Sequence, residues 1–318
     1  MRNDRKVIKT AEISRVQGYH EGGYGGEQYA FVGFKSNKYF TSDRFIKLDR
    51  WFRRPDGKPL CGFGLEIETE CTGVSNTAVL AEVLEKIVFS HFPADLFKLQ
   101  NDGSLGGNSS AECITQVMTR EFIRNNYANF KLMYDTYFPA FRISAASDRC
   151  GMHCNISRAV FGNTEKAQTE AVRKLYYIVN HHFDLCCALF NRNRRATGYC
   201  SRMACGKDYC KTLDLGAHSS NHGVSFNLGH WNSGRIEIRL VGGQRNYAAF
   251  RNTMESIFHL CAAVKKLSWN DCDDVTKIFA GCNQYVYDRL KSFCRQAETI
   301  TDEQLATIRE TVKREELI

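Results

Sequence analysis

The chain has 318 residues, 43% hydrophobic and 25% charged, which are ordinary globular values that exclude collagen, coiled coil and wholesale disorder. Its 4 prolines argue against long extended linkers, and its net charge of +8 suits a polyanionic ligand as readily as nucleic acid or an acidic surface. No run of about 18 apolar residues is present and the opening MRNDRKVIKTAEISRV lacks the apolar stretch of a secretory signal, so the 14 cysteines read as free thiols of a cytoplasmic protein without a membrane partner.

In chain order, residues 1–60 stand apart. A Gly/Tyr loop at 18–26 (GYHEGGYGG) leads to WFRRPDGK at 51–58, which closes on a Pro-Asp-Gly turn. This segment reads as an extension or a small β-rich subdomain. Residues 61–265 carry the strongest patterns and form the core, and 266–318 add helices packed on it. Alternation predicts strands at 64–70, 97–100, 111–117, 149–157, 224–228 and 235–240. Helical spacing predicts helices at 77–92, 120–138, 165–190, 248–267, 275–295 and 302–315. Strands and helices interleave without regular βαβ units, so the fold class is α+β with an antiparallel or mixed sheet.

Residues two apart on a strand share a face. In GLEIETE, Glu66 and Glu68 face one way while Leu65 and Ile67 face the other. In GMHCNIS, His153 and Asn155 share a face, backed by Met152, Cys154 and Ile156. In RIEIRL, Glu237 and Arg239 do the same. In AECITQ, Glu112 goes with Ile114 and Gln116, a less clean alternation. One such strand is an ordinary wet face. Several with four Glu, one His and one Arg are different, because carboxylates on adjacent strands repel unless cations sit among them. Carboxylates with water suit Mg²⁺ or Mn²⁺, and one imidazole is compatible with both. An Arg beside them suits a phosphate. Asp102 opens the Gly-rich stretch before Glu112, which is either a plain hairpin turn or a loop over the site.

Other groupings have two readings each. Arg192, Arg194, Arg195 and Arg202 follow a long helix, where they complement its dipole or bind a phosphate or carboxylate. Cys200, Cys205 and Cys210 with His218 and His222 are spaced more widely than zinc knuckles. Cys150 with His153 is a conceivable nucleophile pair that has no third orienting group. The aromatic-basic stretch 51–58 is a short patch for single-stranded nucleic acid.

Four motifs occur in order: FGLEIETE at 63–70, NDGSL at 101–105 followed by AECIT at 111–115, CGMHCNIS at 150–157, and GRIEIRLVGG at 234–243. Together they resemble the carboxylate–amine ligases built on the glutamine synthetase catalytic fold, and more closely the amidoligase family of bacteria and phages. The resemblance implies a curved, half-barrel sheet with helices on its apolar face, and ATP with Mg²⁺ (or Mn²⁺) as cofactors. It implies that Glu66, Glu68, Glu112, His153 and Glu237 ligate metal. Glu66 and His153 would do so on the nucleotide side and Glu68 on the substrate side. It gives Arg239 the transferred phosphoryl group, and Asp102 either the substrate amine or a metal-bound water. Arg195 and Arg202 would contact the nucleotide. Asn155 stands where the family has a second His facing the phosphates, and it can donate a hydrogen bond but carries no charge. The implied reaction joins a carboxylate to an amine through an acyl phosphate. The alternatives are a non-catalytic nucleotide- or nucleic-acid-binding protein on the same scaffold, or a metal-dependent phosphoesterase.

Overall fold

Each alternating segment has an apolar half to bury, and burying all of them together makes a sheet. A computed structural model describes residues 61–313, apart from 74–79, 81–82, 93–95, 101–104, 106–109, 116, 148, 194–197, 199 and 219–220. The strands are β1 (Phe63–Cys71), β2 (Phe97–Gln100), β3 (Ser110–Thr115), β4 (Ile143–Ser144), β5 (Met152–Ser157), β6 (Phe226–Asn227) and β7 (Arg235–Ile238). They form one open sheet in the order β2-β3-β1-β5-β7-β6, with β4 paired to the end of β1. Every pairing between these strands is antiparallel. The chain is therefore α+β, and the mixed sheet is not used.

One face of this sheet is the core. Leu65, Ile67, Cys154, Ile156, Ile236 and Ile238 are at most 1% exposed. Fully burying a side chain of this kind contributes roughly 1.5–3 kcal/mol. Helix α1 (Glu165–His181) and helix α2 (Tyr247–Ala263) cover that face. Tyr176 of α1 meets Phe226 edge-on at 5.6 Å, and Phe258 of α2 meets Phe63 at 4.8 Å. Both helices start as their sequences dictate. Thr164 accepts from the Ala167 amide and Asn246 from the Ala249 amide, each satisfying an orphan donor. Helix α3 (Asp302–Thr311) begins with a reciprocal Thr301–Gln304 capping box.

Three expected helices are broken, each by a local or tertiary contact. The 165–190 helix stops at His182, whose ring pairs with the Cys272 carbonyl at 2.9 Å, and resumes as Phe183–Leu189. The 275–295 helix is split around Gly281, whose φ of 67° is a left-handed conformation that suits glycine. The 120–138 helix is interrupted at Asn126, which bonds back to the Phe122 carbonyl, and then runs on to Phe141. Segment 1–60, including WFRRPDGK, lies outside the described residues.

Two buried charges join distant parts of the chain. Arg289 is 1% exposed, donates to the Leu189 and Ala188 carbonyls at 3.2 and 2.6 Å, and stacks on Phe293. Burial pushes its pKa down to about 10. Glu255, also 1% exposed, accepts both Arg124 nitrogens at 2.9 and 2.6 Å, the Tyr127 hydroxyl at 2.7 Å and the Asn283 amide at 2.8 Å. Removing one partner of such a buried pair leaves the others desolvated and typically costs about 3–5 kcal/mol. Glu255→Ala should lose about that much in urea unfolding. Arg124→Ala should lose less, because Arg124 is part-exposed. The double variant should lose less than the sum, and strictly additive losses would refute the network.

Candidate metal centre

The register decides which polar side chains meet. Glu66 of β1 lies directly opposite His153 of β5, Glu68 opposite Glu112 of β3, and Glu237 of β7 between Asn155 and Asn227. Opposed residues have Cβ atoms only about 4.5–5.5 Å apart. His153 Nδ1 is 3.1 Å from Glu66 and 3.6 Å from Glu237, and Nε2 is 3.7 Å from Glu68. Two overlapping triads result, Glu66–His153–Glu237 and Glu68–Glu112–His153, each with ligand atoms within 4.8 Å of one another. Most of the centre is closed to solvent: Glu66 is 9%, Glu68 8%, His153 7% and Glu237 3% exposed, while Glu112 is half-buried at its edge.

The carboxylates are not left to repel one another. Arg239 donates to Glu237 at 2.6 Å and lies 3.4 Å from His153 Nδ1. The expected strand to residue 240 stops at Ile238. The Arg239 and Leu240 amides then both bond to the Ser225 carbonyl, and the Arg239 Nε reaches the His222 carbonyl. Asn155 donates to Glu66 at 2.8 Å and accepts from Arg235, while Asn227 donates to Glu237 at 2.8 Å. Burial alone would raise the Glu66 carboxyl, but His153, Arg235 and Asn155 outweigh it and hold it at about 2. Burial alone would lower His153. Its bond to Glu66, with Glu68 and Glu237, overcomes that and the opposing Arg239 charge, so His153 sits above its ordinary value.

Backbone closeness shapes the far end. Glu68 accepts from the Gly151 amide. Arg192 donates to the carbonyls of Val241, Arg239 and Leu240 at 2.6, 3.2 and 3.4 Å, so its guanidinium braces the end of β7. A Cβ at Gly242 would collide with the Asn191 carbonyl and one at Gly243 with the Ala145 carbonyl, which is why this stretch has two glycines.

Other sequence candidates fare differently. Asp102, Arg194 and Arg195 lie outside the described residues. Arg202 is exposed and reaches Cys205 Sγ at 3.6 Å. Among the described residues, Cys200, Cys205, Cys210, His218 and His222 form no metal-ligating group. Burial pushes the Cys150 thiol up to about 12 and it donates to the Ser144 carbonyl, so it supplies no thiolate for His153. Asn155 contacts a carboxylate and a guanidinium. Sequence reasoning missed Arg235, 2% exposed and tied to Asn155. The signal was in the motif, since R-x-E-x-R puts Arg235 on the same face as Glu237 and Arg239.

The donor set fits a divalent cation. Carboxylate oxygens and the His153 imidazole come together from four strands in two overlapping triads, the ligand chemistry of Mg²⁺ or Mn²⁺.

Without metal, the Glu66–His153 pair should set the pH dependence of stability. Glu66 is depressed from 4.5, so its contribution is full above that value and is lost as pH falls toward 2. His153 is raised from 6.5, so its contribution is full below that value and is lost as pH rises through the folded value. Melting curves in chelator should show both limbs in the wild type. Glu66→Gln should flatten both and cost about 1–3 kcal/mol near pH 6, and an unchanged profile would remove the pairing.

No protein-family model and no curated protein matches the chain.

Proposed function

We propose that the protein is an ATP- and Mg²⁺-dependent carboxylate–amine ligase, with the polar face of the sheet as its active site. The observation that carries this reading is the pair of overlapping Glu/His triads with the Arg239 guanidinium beside them, on a sheet whose other face is core. An open antiparallel sheet clustered in this way is compatible with a glutamine synthetase-like half-barrel, and the four ordered motifs add to that. The free state of all 14 thiols fits work in a reducing compartment such as the cytosol. No described helix is long and apolar enough to cross a membrane.

Glu66, Glu68, Glu112, His153 and Glu237 are the residues that would hold divalent cations. When bound, such ions supply positive charge against the charge developing on a transferred phosphoryl group. In the proposed reaction a substrate carboxylate oxygen attacks the γ-phosphorus of ATP and ADP leaves, giving an acyl phosphate. The amine nitrogen then attacks the acyl carbon, loses a proton, and phosphate departs. Arg239, a planar fork held against Glu237, clamps two phosphoryl oxygens. The Asn155 amide is engaged by Glu66 and Arg235, so anion binding from this part of the sheet falls to Arg239. Asp102, Arg195 and Arg202 keep their substrate-amine and nucleotide roles only within this reading.

The test is incubation with ATP, Mg²⁺ and pooled carboxylates and amines, followed by mass spectrometry. The expected product is lighter than its two reactants by one water, with matching ADP and phosphate. Phosphate release from esters without ATP would instead select the phosphoesterase, and nucleotide binding without turnover the non-catalytic protein. Arg239→Lys should lower kcat about 10²–10³-fold while changing ATP affinity far less, because an ammonium cannot clamp two oxygens. Near-wild-type turnover in that variant would sink the clamp.

A further inference from the structure

A cavity of about 600 Å³ opens between the helical stretch that runs on to Phe141 and the turn entering α2. None of the carboxylate cluster lines it. Its two walls are joined by apolar packing, since the rings of Phe130 and Tyr134 lie 4.5 and 5.1 Å from that of Phe250. Its volume is that of a small-molecule site.

Three cations line the cavity, Lys131, Arg245 and Arg251, against one acid, Asp135. Among the described residues, no ion pair joins any of the three to an acid. Other guanidiniums of this chain do find carboxylates, as Arg124 does in Glu255 and Arg295 in Asp302. Asp135 instead accepts the Tyr247 amide at 2.9 Å. Arg251 is held by rings. Its Cζ lies 3.8 Å from the centre of the Tyr285 ring and 5.3 Å from that of Tyr247, and its Nε is shut off from water without a hydrogen-bond partner. Stacking of this kind fixes the plane of a guanidinium and leaves its charge uncompensated.

We propose that this cavity binds a phosphate monoester, held by Lys131, Arg245 and Arg251. Charge selects the class. Three positive groups against one negative leave two positive charges. A phosphate monoester carries about −1.5 to −2 near neutral pH and matches them, whereas a carboxylate or a phosphodiester matches only half. Guanidiniums also suit phosphoryl oxygens in pairs. The half-buried Tyr247 offers an aromatic wall to the rest of the ligand. The inference stands on this cavity alone and is independent of the ligase reading.

The experiment is calorimetric titration of phenyl phosphate into the full chain in chelator. The wild type should bind one molecule per chain. Lys131→Gln and Arg245→Gln, at exposed positions, should each weaken it about 10-fold, and Arg251→Gln at least as much. Asp135→Asn, which keeps an acceptor for the Tyr247 amide, should tighten it. Benzoate, with the same ring and one charge, should bind about 10-fold more weakly. Arg239→Ala should leave the affinity unchanged. Circular dichroism checks that each variant folds, and the two exposed variants carry the test if Arg251→Gln does not. No binding, or binding untouched by Lys131→Gln and Arg245→Gln, would overturn the inference. Loss of binding in Arg239→Ala would overturn it by placing the phosphate in the carboxylate cluster. Equal affinity for benzoate, or tighter binding of an oligonucleotide without terminal phosphates through the same residues, would overturn the monoester.

Discussion

Four carboxylates share one face of a sheet whose reverse is solid core, and three of them, Glu66, Glu68 and Glu237, are almost out of reach of water. Two like charges about 4 Å apart repel by roughly 4 kcal/mol at an effective dielectric near 20. No sheet could keep Glu66, Glu68, Glu112 and Glu237 so close without compensating charge. The compensation explains much of the surrounding detail. Arg235 is drawn 98% out of solvent to reach Asn155, and His153 gains proton affinity despite its burial. Arg239 leaves the strand ladder and turns back onto Glu237.

The cations are arginines, and this matters. A guanidinium is always charged and binds in a fixed plane. Asn155 joins one of them, Arg235, to Glu66 through a neutral amide. The strand therefore contributes geometry but no titrating group at that position. The only imidazole with contacts to the carboxylate cluster, among the described residues, is His153.

Faces were legible in the sequence, but pairings were not. Alternation in GLEIETE, GMHCNIS and RIEIRL tells which residues share a side, because the strand period is two. It carries no information on register, so neither the direct opposition of Glu68 and Glu112 nor the meeting of Arg235 with Asn155 was readable. Helix existence was legible from apolar spacing, but the breaks were not. His182 ends its helix beside a carbonyl 90 positions away in sequence, and a two-residue strand such as β4 is too short to show a period. The spaced cysteines and histidines of 200–222 had the right residue types for zinc. What they lack is convergence, which spacing alone does not supply.

Arg289 bears on where the working unit ends. Its guanidinium caps the carbonyls that close the Phe183–Leu189 helix, and the chain leaving that cap runs straight into Asn191 and Arg192. Arg192 braces the three carbonyls around Arg239. The border drawn near residue 265 by motif likeness is therefore not a mechanical border. Shortening the chain to the motif-bearing part would strip the cap from one helix end and loosen the brace behind Arg239. A deletion far from the carboxylates in sequence would then act as an alteration of the site itself, and fragments of this protein would under-report what the whole chain does.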